Sequence, residues 1–251
     1  MRIIEMNGYI DEDVWYGDEI TPEMLHDRLY AEGEDLSMPV RIILNSYGGS
    51  CNAAVRMYDD VRAYPGDVHI IVSGTAASAA TVLAMAADRL EMTPGSMWMI
   101  HDPSIFACGN EHDLLQAIDQ LKACKESILN VYDRRCHRTR DDVSGMMTAT
   151  TWMDSHKAVA DGFVDGIVDM GSGIINAGTD RTVVLQDAEA KVKMWIDRSR
   201  SRMIHRAETN EEPKIKETHA PKQEVQAAEA SHPGVPAEQL HKRLDLIRPR
   251  H

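Results

Sequence analysis

An α/β fold with parallel strands is predicted, on three observations. Strand-like and helix-like stretches alternate from residue 2 to about residue 170. Two short runs, VRIILN at 40–45 and VHIIVSG at 68–74, are apolar and β-branched without alternation, as strands covered on both faces are. The stretches between strands carry helical patterns, the crossovers that parallel neighbours require.

The elements follow in order. Residues 2–10, RIIEMNGYI, open as a strand. In TPEMLHDRLYAEG, Thr21 suits the N-cap, Pro22 the first helical position, Glu23 the first turn and Gly33 the end. The strand at 40–45 runs into a tight glycine turn, SYGGS. CNAAVRMYDDVRAY then puts Ala54, Met57, Tyr58 and Val61 on one helical face, until Pro65-Gly66 stops it. The strand at 68–74 leads to SAATVLAMAAD, a helix small or apolar all round and therefore buried. RLEMTPGSMWMIHDP supplies two strand-like pieces broken at Pro94-Gly95. From about Asn110 to Cys136 a long helical pattern offers Leu114, Ile118, Leu121, Ile128 and Tyr132 as an apolar face. DDVSGMM is a shorter helix, and SHKAVADGFVDGIVD a helix running into a strand.

After about residue 200 the composition changes. HRAETNEEPKIKETHAPKQEVQAAEASHPGVPAEQ has no aromatic residue, several prolines and many charges. It cannot bury enough apolar area to offset chain entropy, so disorder is expected. AEAKVKMWIDRSRSRMIH before it reads as a helix ending the ordered part. The division expected is 1–172 for the main domain, 173–204 for a helical extension and 205–251 for a charged tail.

The chain of 251 residues is 43% hydrophobic but only 5% aromatic, so alanine, methionine and aliphatic side chains must fill the core. Its net charge of −13 argues against nucleic acid as a partner. Cys51, Cys108, Cys124 and Cys136 form no C-x-x-C pair and read as thiols in a reducing compartment. No stretch resembles a secretory signal or approaches 18 uninterrupted apolar residues, so no membrane span is expected and the cytoplasm is the expected location. No P-loop pattern is present, and no cofactor or metal is expected.

Three places carry candidate chemistry. Ser78 lies in VSGTAASAATVLAMAAD, among Gly74, Ala76, Ala77, Ala79 and Ala80. It reads either as the N-cap of a buried helix or as a nucleophile whose small neighbours leave room for a substrate backbone, beside the N–H groups of a helix start. His101 ends the apolar run MWMI just before Pro103, as a core histidine or as a group at a strand end, where α/β crevices form. NSYGGS at 45–50 is either a plain turn or part of an oxyanion hole.

Gly49 lies 29 residues before Ser78, and His101 lies 23 after it. With ILNSYGGS, VSGTAASAA, MWMIHDP, GNEHDLL and TTWMDSHKAVADGFVD in that order, the chain resembles the ClpP family of serine peptidases, especially the shorter phage and prophage versions. The resemblance implies a ClpP/crotonase-like fold of repeated β-β-α units. It implies Ser78 as nucleophile, His101 as general base, and the N–H groups of Gly49 and Ala79 as the oxyanion hole. It also implies polypeptide substrates, bound by strand addition, and stacked heptameric rings that meet through the helix at about 110–136. Two departures stand out. The family's third residue is an acid 49 positions after the histidine, and here that position is Thr150, although Asp154, Asp161 and Asp165 lie nearby. The chain also starts almost directly at its first strand, where longer members carry a segment that contacts an ATP-dependent unfoldase.

The leading expectation is a serine endopeptidase acting in phage capsid or scaffold maturation. Its partners would be capsid and scaffold proteins or an unfoldase. The alternatives are a ring-forming assembly protein weakened at Thr150, and a crotonase-type acyl-CoA enzyme.

Overall fold

The computed structural model describes residues 1–169, 190–198, 200, 201 and 204. The expected disordered tail over 205–251 lies outside the described residues, as does the stretch from 173 to 189.

One sheet organises the chain. Strands β1 (Arg2–Asn7), β4 (Val40–Ser46), β5 (Val68–Ala77), β6 (Arg89–Met92) and β9 (Gly166–Ile167) lie side by side in that order, all parallel. The alternation from β1 to β6 is supplied by α1 (Pro22–Leu29), α2 (Cys51–Ala63) and α3 (Ala79–Ala84). A two-residue parallel pair, β2 (Tyr9–Ile10) with β3 (Glu19–Ile20), sits beside the end of β1. Between them the Glu19 carboxylate accepts the backbone N–H groups of Trp15, Tyr16 and Gly17.

Local chemistry fixes the helices much as their sequences suggest. Thr21 caps α1 by accepting the Met24 N–H, with Pro22 next, but the helix ends at Leu29 rather than running on to Gly33. In α2 the face of Ala54, Met57, Tyr58 and Val61 is buried, and Ser50 supplies the cap.

Strand β5 departs from its expected end at Gly74 and continues three residues further, to Ala77. Gly74 has φ +113° and an added Cβ would meet Asn45 Oδ1 at 2.6 Å, so only glycine lets the strand pass this point. Asn45 Oδ1 accepts the Thr75 N–H, and the β4–β5 register shifts there. The bulge splits the sheet. The first half of β5 pairs with β6, while Thr75–Ala77 pair with β7 (Met97–Ile100).

β7 in turn pairs with β8 (Thr151–Asp154), and this pair is antiparallel. The sequence reading had only parallel strands. TTWMD is too short and too mixed to read as a buried run, and its partner is known only once the chain has folded.

α4 (Glu111–Tyr132) begins with a capping box of Asn110 and Asp113. Its expected apolar face is divided. Ile128, Leu129 and Tyr132 are buried, whereas Leu114, Leu115 and Ile118 stand 43%, 53% and 47% exposed. Tyr132 meets Phe163 edge-on at 5.6 Å, and Phe163 meets Trp98 of β7 at 6.1 Å, an aromatic cluster within the core. α5 (Arg140–Thr148) and α6 (Ser155–Ala160) flank β8. The helix expected in the C-terminal extension is present over 190–198, where Arg198 pairs with Asp18 at 2.9 Å and Lys191 donates to the Tyr47 hydroxyl at 3.3 Å.

Among the described residues no helix is long and apolar enough to cross a membrane.

Candidate active site

Two strand ends bring the candidate side chains together. β5 ends at Ala77 and β7 at Ile100, and Ala77 pairs with Met99. Ser78 and His101 are the residues that leave these neighbouring strands, and the Ser78 N–H donates to the Met99 carbonyl at 2.8 Å. Across this junction Ser78 Oγ lies 2.6 Å from His101 Nε2.

This bond bears on the two readings of Ser78. The residue occupies the N-cap position of α3 but makes no side-chain capping bond. Its φ is +56°, in the left-handed region that residues other than glycine rarely enter. The turn points the hydroxyl at the imidazole instead of along the helix. Strain of this kind costs on the order of 1–3 kcal/mol and persists only where the surroundings enforce it.

The enforcing contacts are present. Thr81 donates both its N–H, at 3.0 Å, and its hydroxyl, at 2.5 Å, to the Ser78 carbonyl. The Thr81 hydroxyl has one proton, so the bond of 2.6 Å to Tyr132 must be donated by the phenol. Tyr132 is buried, and burial pushes its phenol well above the ordinary tyrosine range, so the proton stays available. A buried relay, Tyr132 to Thr81 to the Ser78 carbonyl, thus ties α4 to the Ser78 turn. No sequence signal singled out Thr81 or Tyr132 for this role.

The glycine turn lies against the serine from the other side. A Cβ on Gly48 would sit 2.4 Å from the Ala77 carbonyl oxygen, 2.8 Å from Ser78 Cβ and 2.9 Å from the Ala79 nitrogen. A Cβ on Gly49 would meet the Ile10 carbonyl oxygen at 1.9 Å, because the Ile10 backbone bonds Gly48 and Ser50 on either side. Both glycines have positive φ, +87° and +148°. Gly48 is therefore needed for the close approach to Ser78, and the sequence reading had named only Gly49. The alanines around Ser78 serve the same packing. Ala76, Ala77 and Ala80 are fully buried, so their small size admits the neighbouring backbone rather than a ligand.

Two backbone N–H groups, one beside the serine and one beside Gly48, are left without partners among the described residues. Ala79 opens α3, where an N–H has no partner within the helix. Among the described residues neither the Ala79 nor the Gly49 N–H is taken by another group.

His101 is half-buried. Burial lowers its pKa from the ordinary histidine value, against the opposing charge of Asp102. The imidazole is thereby kept neutral and able to accept a proton. If Ser78 donates to Nε2, the ring proton must reside on Nδ1, which then calls for an acceptor.

The β7–β8 register puts Thr150 at the position facing that histidine. Ile100 pairs with Thr151, so the next step outward sets His101 across from Thr150. Thr150 has φ +53° and its N–H donates to the Met147 carbonyl at 3.0 Å, closing the end of α5. No hydrogen bond joins Thr150 to His101 among the described residues.

The nearby carboxylates are committed elsewhere. Asp154 caps α6 through the Lys157 N–H at 2.8 Å. Asp161 is buried between Arg138 at 2.6 Å and Lys157 at 2.7 Å. Asp165 takes Arg135 at 2.5 Å and the Leu90 N–H at 2.7 Å. Asp102, next to the histidine, pairs with Lys125 at 2.7 Å and accepts from Thr148 at 3.0 Å. Among the described residues the arrangement thus has a hydroxyl on an imidazole whose neutral form is favoured, two backbone N–H groups without partners, and no carboxylate hydrogen-bonded to the imidazole.

Comparison with known proteins bears on the same region. Residues 2–172 match the family model described as Clp protease. Among curated relatives, ATP-dependent Clp protease proteolytic subunit 1 of Chlamydia pneumoniae is 30% identical over 174 residues, covering 66% of this chain and 91% of the relative. The protein of the same description from Chlamydia abortus is 29% identical over 163 residues, 62% of this chain and 85% of the relative. The family match spans the sheet, the serine junction and both glycines, and most of the relatives' own length is covered. The chain belongs to the Clp protease family.

Proposed function

We propose that this chain is a serine-type endopeptidase subunit in which Ser78 attacks the peptide carbonyl. The observation that carries the reading is the 2.6 Å bond from Ser78 to His101 Nε2 at a strained serine that does no capping. His101 accepts the hydroxyl proton as Ser78 Oγ adds to the carbonyl carbon, and returns it to the leaving amine. The Gly49 and Ala79 N–H groups receive the developing oxyanion, where one such donor contributes about 2.7–4 kcal/mol in a comparable site. Water then cleaves the acyl-enzyme by the same path. Family membership supports polypeptide as the substrate class. It removes the support for the acyl-CoA alternative.

The assembly we propose is a ring of identical subunits, heptameric by the resemblance noted above, with rings meeting through the exposed Leu114, Leu115 and Ile118 of α4. A Clp-type ATPase, as the relatives' description suggests, or a capsid or scaffold protein, would be the partner that supplies substrate. The main domain is taken as 1–172, with the extension and tail outside the catalytic unit.

A fluorophosphonate probe on the full chain, followed by peptide mapping, tests the proposal. Labelling should fall on Ser78 and disappear in Ser78→Ala together with peptide cleavage. The second reading, a ring-forming subunit with lost catalysis, is favoured by the one observation that no carboxylate hydrogen-bonds to His101 among the described residues. It predicts intact rings with neither labelling nor cleavage.

A further inference from the structure

Cys51 is the first residue of α2, two positions after Gly49, and Cys124 lies in the middle of α4. Their sulfur atoms are 3.3 Å apart and hydrogen-bonded, and both residues are half-buried rather than sealed. The other two thiols differ. Cys108 is exposed, and Cys136 bonds the Asp161 carbonyl at 3.2 Å.

We propose that Cys51 and Cys124 are an oxidation site, a dithiol that peroxide converts to an intramolecular disulfide clipping α4 to the start of α2 and slowing the chemistry at Ser78. The chemistry needs one thiolate and one adjacent thiol. The hydrogen bond shared by the two thiols, in which either sulfur can carry the proton, brings Cys124 down to about 7, while that bond and burial raise Cys51. Cys124 is thus the sulfur that attacks the peroxide. Its S–O bond forms as the O–O bond breaks, giving a sulfenic acid and hydroxide. The Cys51 sulfur then attacks the sulfenic sulfur, its proton leaving with the displaced hydroxide as water. Two thiols lose two electrons and two protons, and one peroxide becomes two waters.

The geometry gives the disulfide a mechanical consequence. A disulfide needs a sulfur separation near 2.05 Å, so the two sulfurs must close by about 1.2 Å. Cys51 follows Ser50, whose hydroxyl caps α2 and whose N–H bonds Ile10 at 2.8 Å, and Ser50 follows Gly49. Cys124 shares its helix with Tyr132, the donor at the far end of the relay to the Ser78 carbonyl. Closing the pair therefore pulls on the oxyanion turn and on the relay together. Misplacement of about 1 Å costs a catalytic site up to about a hundredfold. The effect on activity rests on the peptidase reading, whereas the disulfide itself does not.

The test uses the full chain, reduced, desalted, treated with hydrogen peroxide, blocked with N-ethylmaleimide and digested with trypsin without reduction. The expected product is one peptide covering 42–56 joined to 123–125, two hydrogens lighter than the separate pair, from protein that still migrates as a single chain. The kcat for a peptide substrate should fall roughly tenfold to a hundredfold. Dithiothreitol should restore it, and Cys124→Ser should cleave at the untreated rate and resist peroxide. Oxidation at Cys108 with no 42–56/123–125 product would overturn the site, and a quantitative link with unchanged kcat would overturn its effect. If the reduced chain neither cleaves peptide nor takes the fluorophosphonate probe, the peptidase reading fails instead, while the peptide map still decides the site.

Discussion

Replacing Thr150 separates two effects that coincide at one position. Thr150 is β-branched and held at φ +53°. Such a residue is strained there, by on the order of 1–3 kcal/mol, whereas Asn and Asp enter the left-handed region with less penalty. Thr150→Asn and Thr150→Asp should therefore each stabilise the fold by about 1 kcal/mol, raising Tm by roughly 2–4 °C for a domain of this size. Only Asp adds charge. The register sets position 150 across from His101, whose Nδ1 has no acceptor among the described residues. A carboxylate there would accept that N–H, hold the productive tautomer and stabilise the imidazolium as it forms. Removing such a carboxylate costs one serine protease about 10⁴ in kcat. A gain of at least roughly tenfold in kcat is expected for Thr150→Asp and none for Thr150→Asn. The pH dependence gives the sign. Burial holds the His101 pKa below its ordinary value, so wild-type activity is present above that depressed pKa and is lost as pH falls through it. A negative neighbour favours the protonated form, so the acid limb in Thr150→Asp should move to higher pH. Thermal melts and pH–rate profiles of the three proteins on one peptide supply both readouts. Equal kcat gains in Asn and Asp would show that conformation alone was at work, and destabilisation by both would refute the strain argument.

Three other outcomes are expected. Tyr132→Phe should cost about 1 kcal/mol, since Thr81 can still donate to Ser78, while Thr81→Val should cost about 2–3 kcal/mol by stranding a buried phenol. The double variant should be no less stable than Thr81→Val in urea melts, and additive losses would break the relay. Gly48→Ala should abolish probe labelling at Ser78, because its Cβ would lie 2.4 Å from the Ala77 carbonyl and 2.8 Å from Ser78 Cβ; a normal labelling rate would show that the turn can retreat without consequence. Leu115→Asp with Ile118→Asp should lower particle mass on sizing chromatography without a loss of thermal stability, as both side chains are exposed in the single chain, and unchanged mass would remove α4 from the proposed ring contact.

Much of this was legible in the sequence because it is local. The runs at 40–45 and 68–74, the Thr21-Pro22 start of α1 and the face of α2 each show in a window of about a dozen residues. Ser78 and His101 became candidates through the family resemblance that their spacing from the glycine turn helps carry, and the structure sets them 2.6 Å apart. What was missed is long-range or conformational. Tyr132 reaches Thr81 across 51 residues, and Cys124 reaches Cys51 across 73, with no pattern near either member to announce the partner. Gly48 matters because Ser78 Cβ and the Ala79 nitrogen arrive from another strand. The exposed half of α4 carries the same apolar residues that a buried face would, so composition alone suggested one continuous face.

Ser78 and Thr150 share a physical property that sequence does not display. Among the described residues they are the non-glycine positions with positive φ, and both adjoin His101, one by hydrogen bond and one by strand register. At Ser78 the unusual backbone is held by Thr81, the Met99 carbonyl and Gly48. At Thr150 it serves the turn itself, since the residue just after the α5 cap must bend the chain back into β8. That position suits Asp or Asn on conformational grounds alone, before any catalytic argument is made. An acid there would satisfy the turn and the imidazole at once, and a threonine satisfies neither fully. The two strained residues are held by separate sets of bonds, so a change at Thr150 is expected to leave the serine turn intact. On the proposed peptidase reading, such a site aims Ser78 at an imidazole whose neutral form is favoured by burial, with no charged partner on Nδ1 among the described residues.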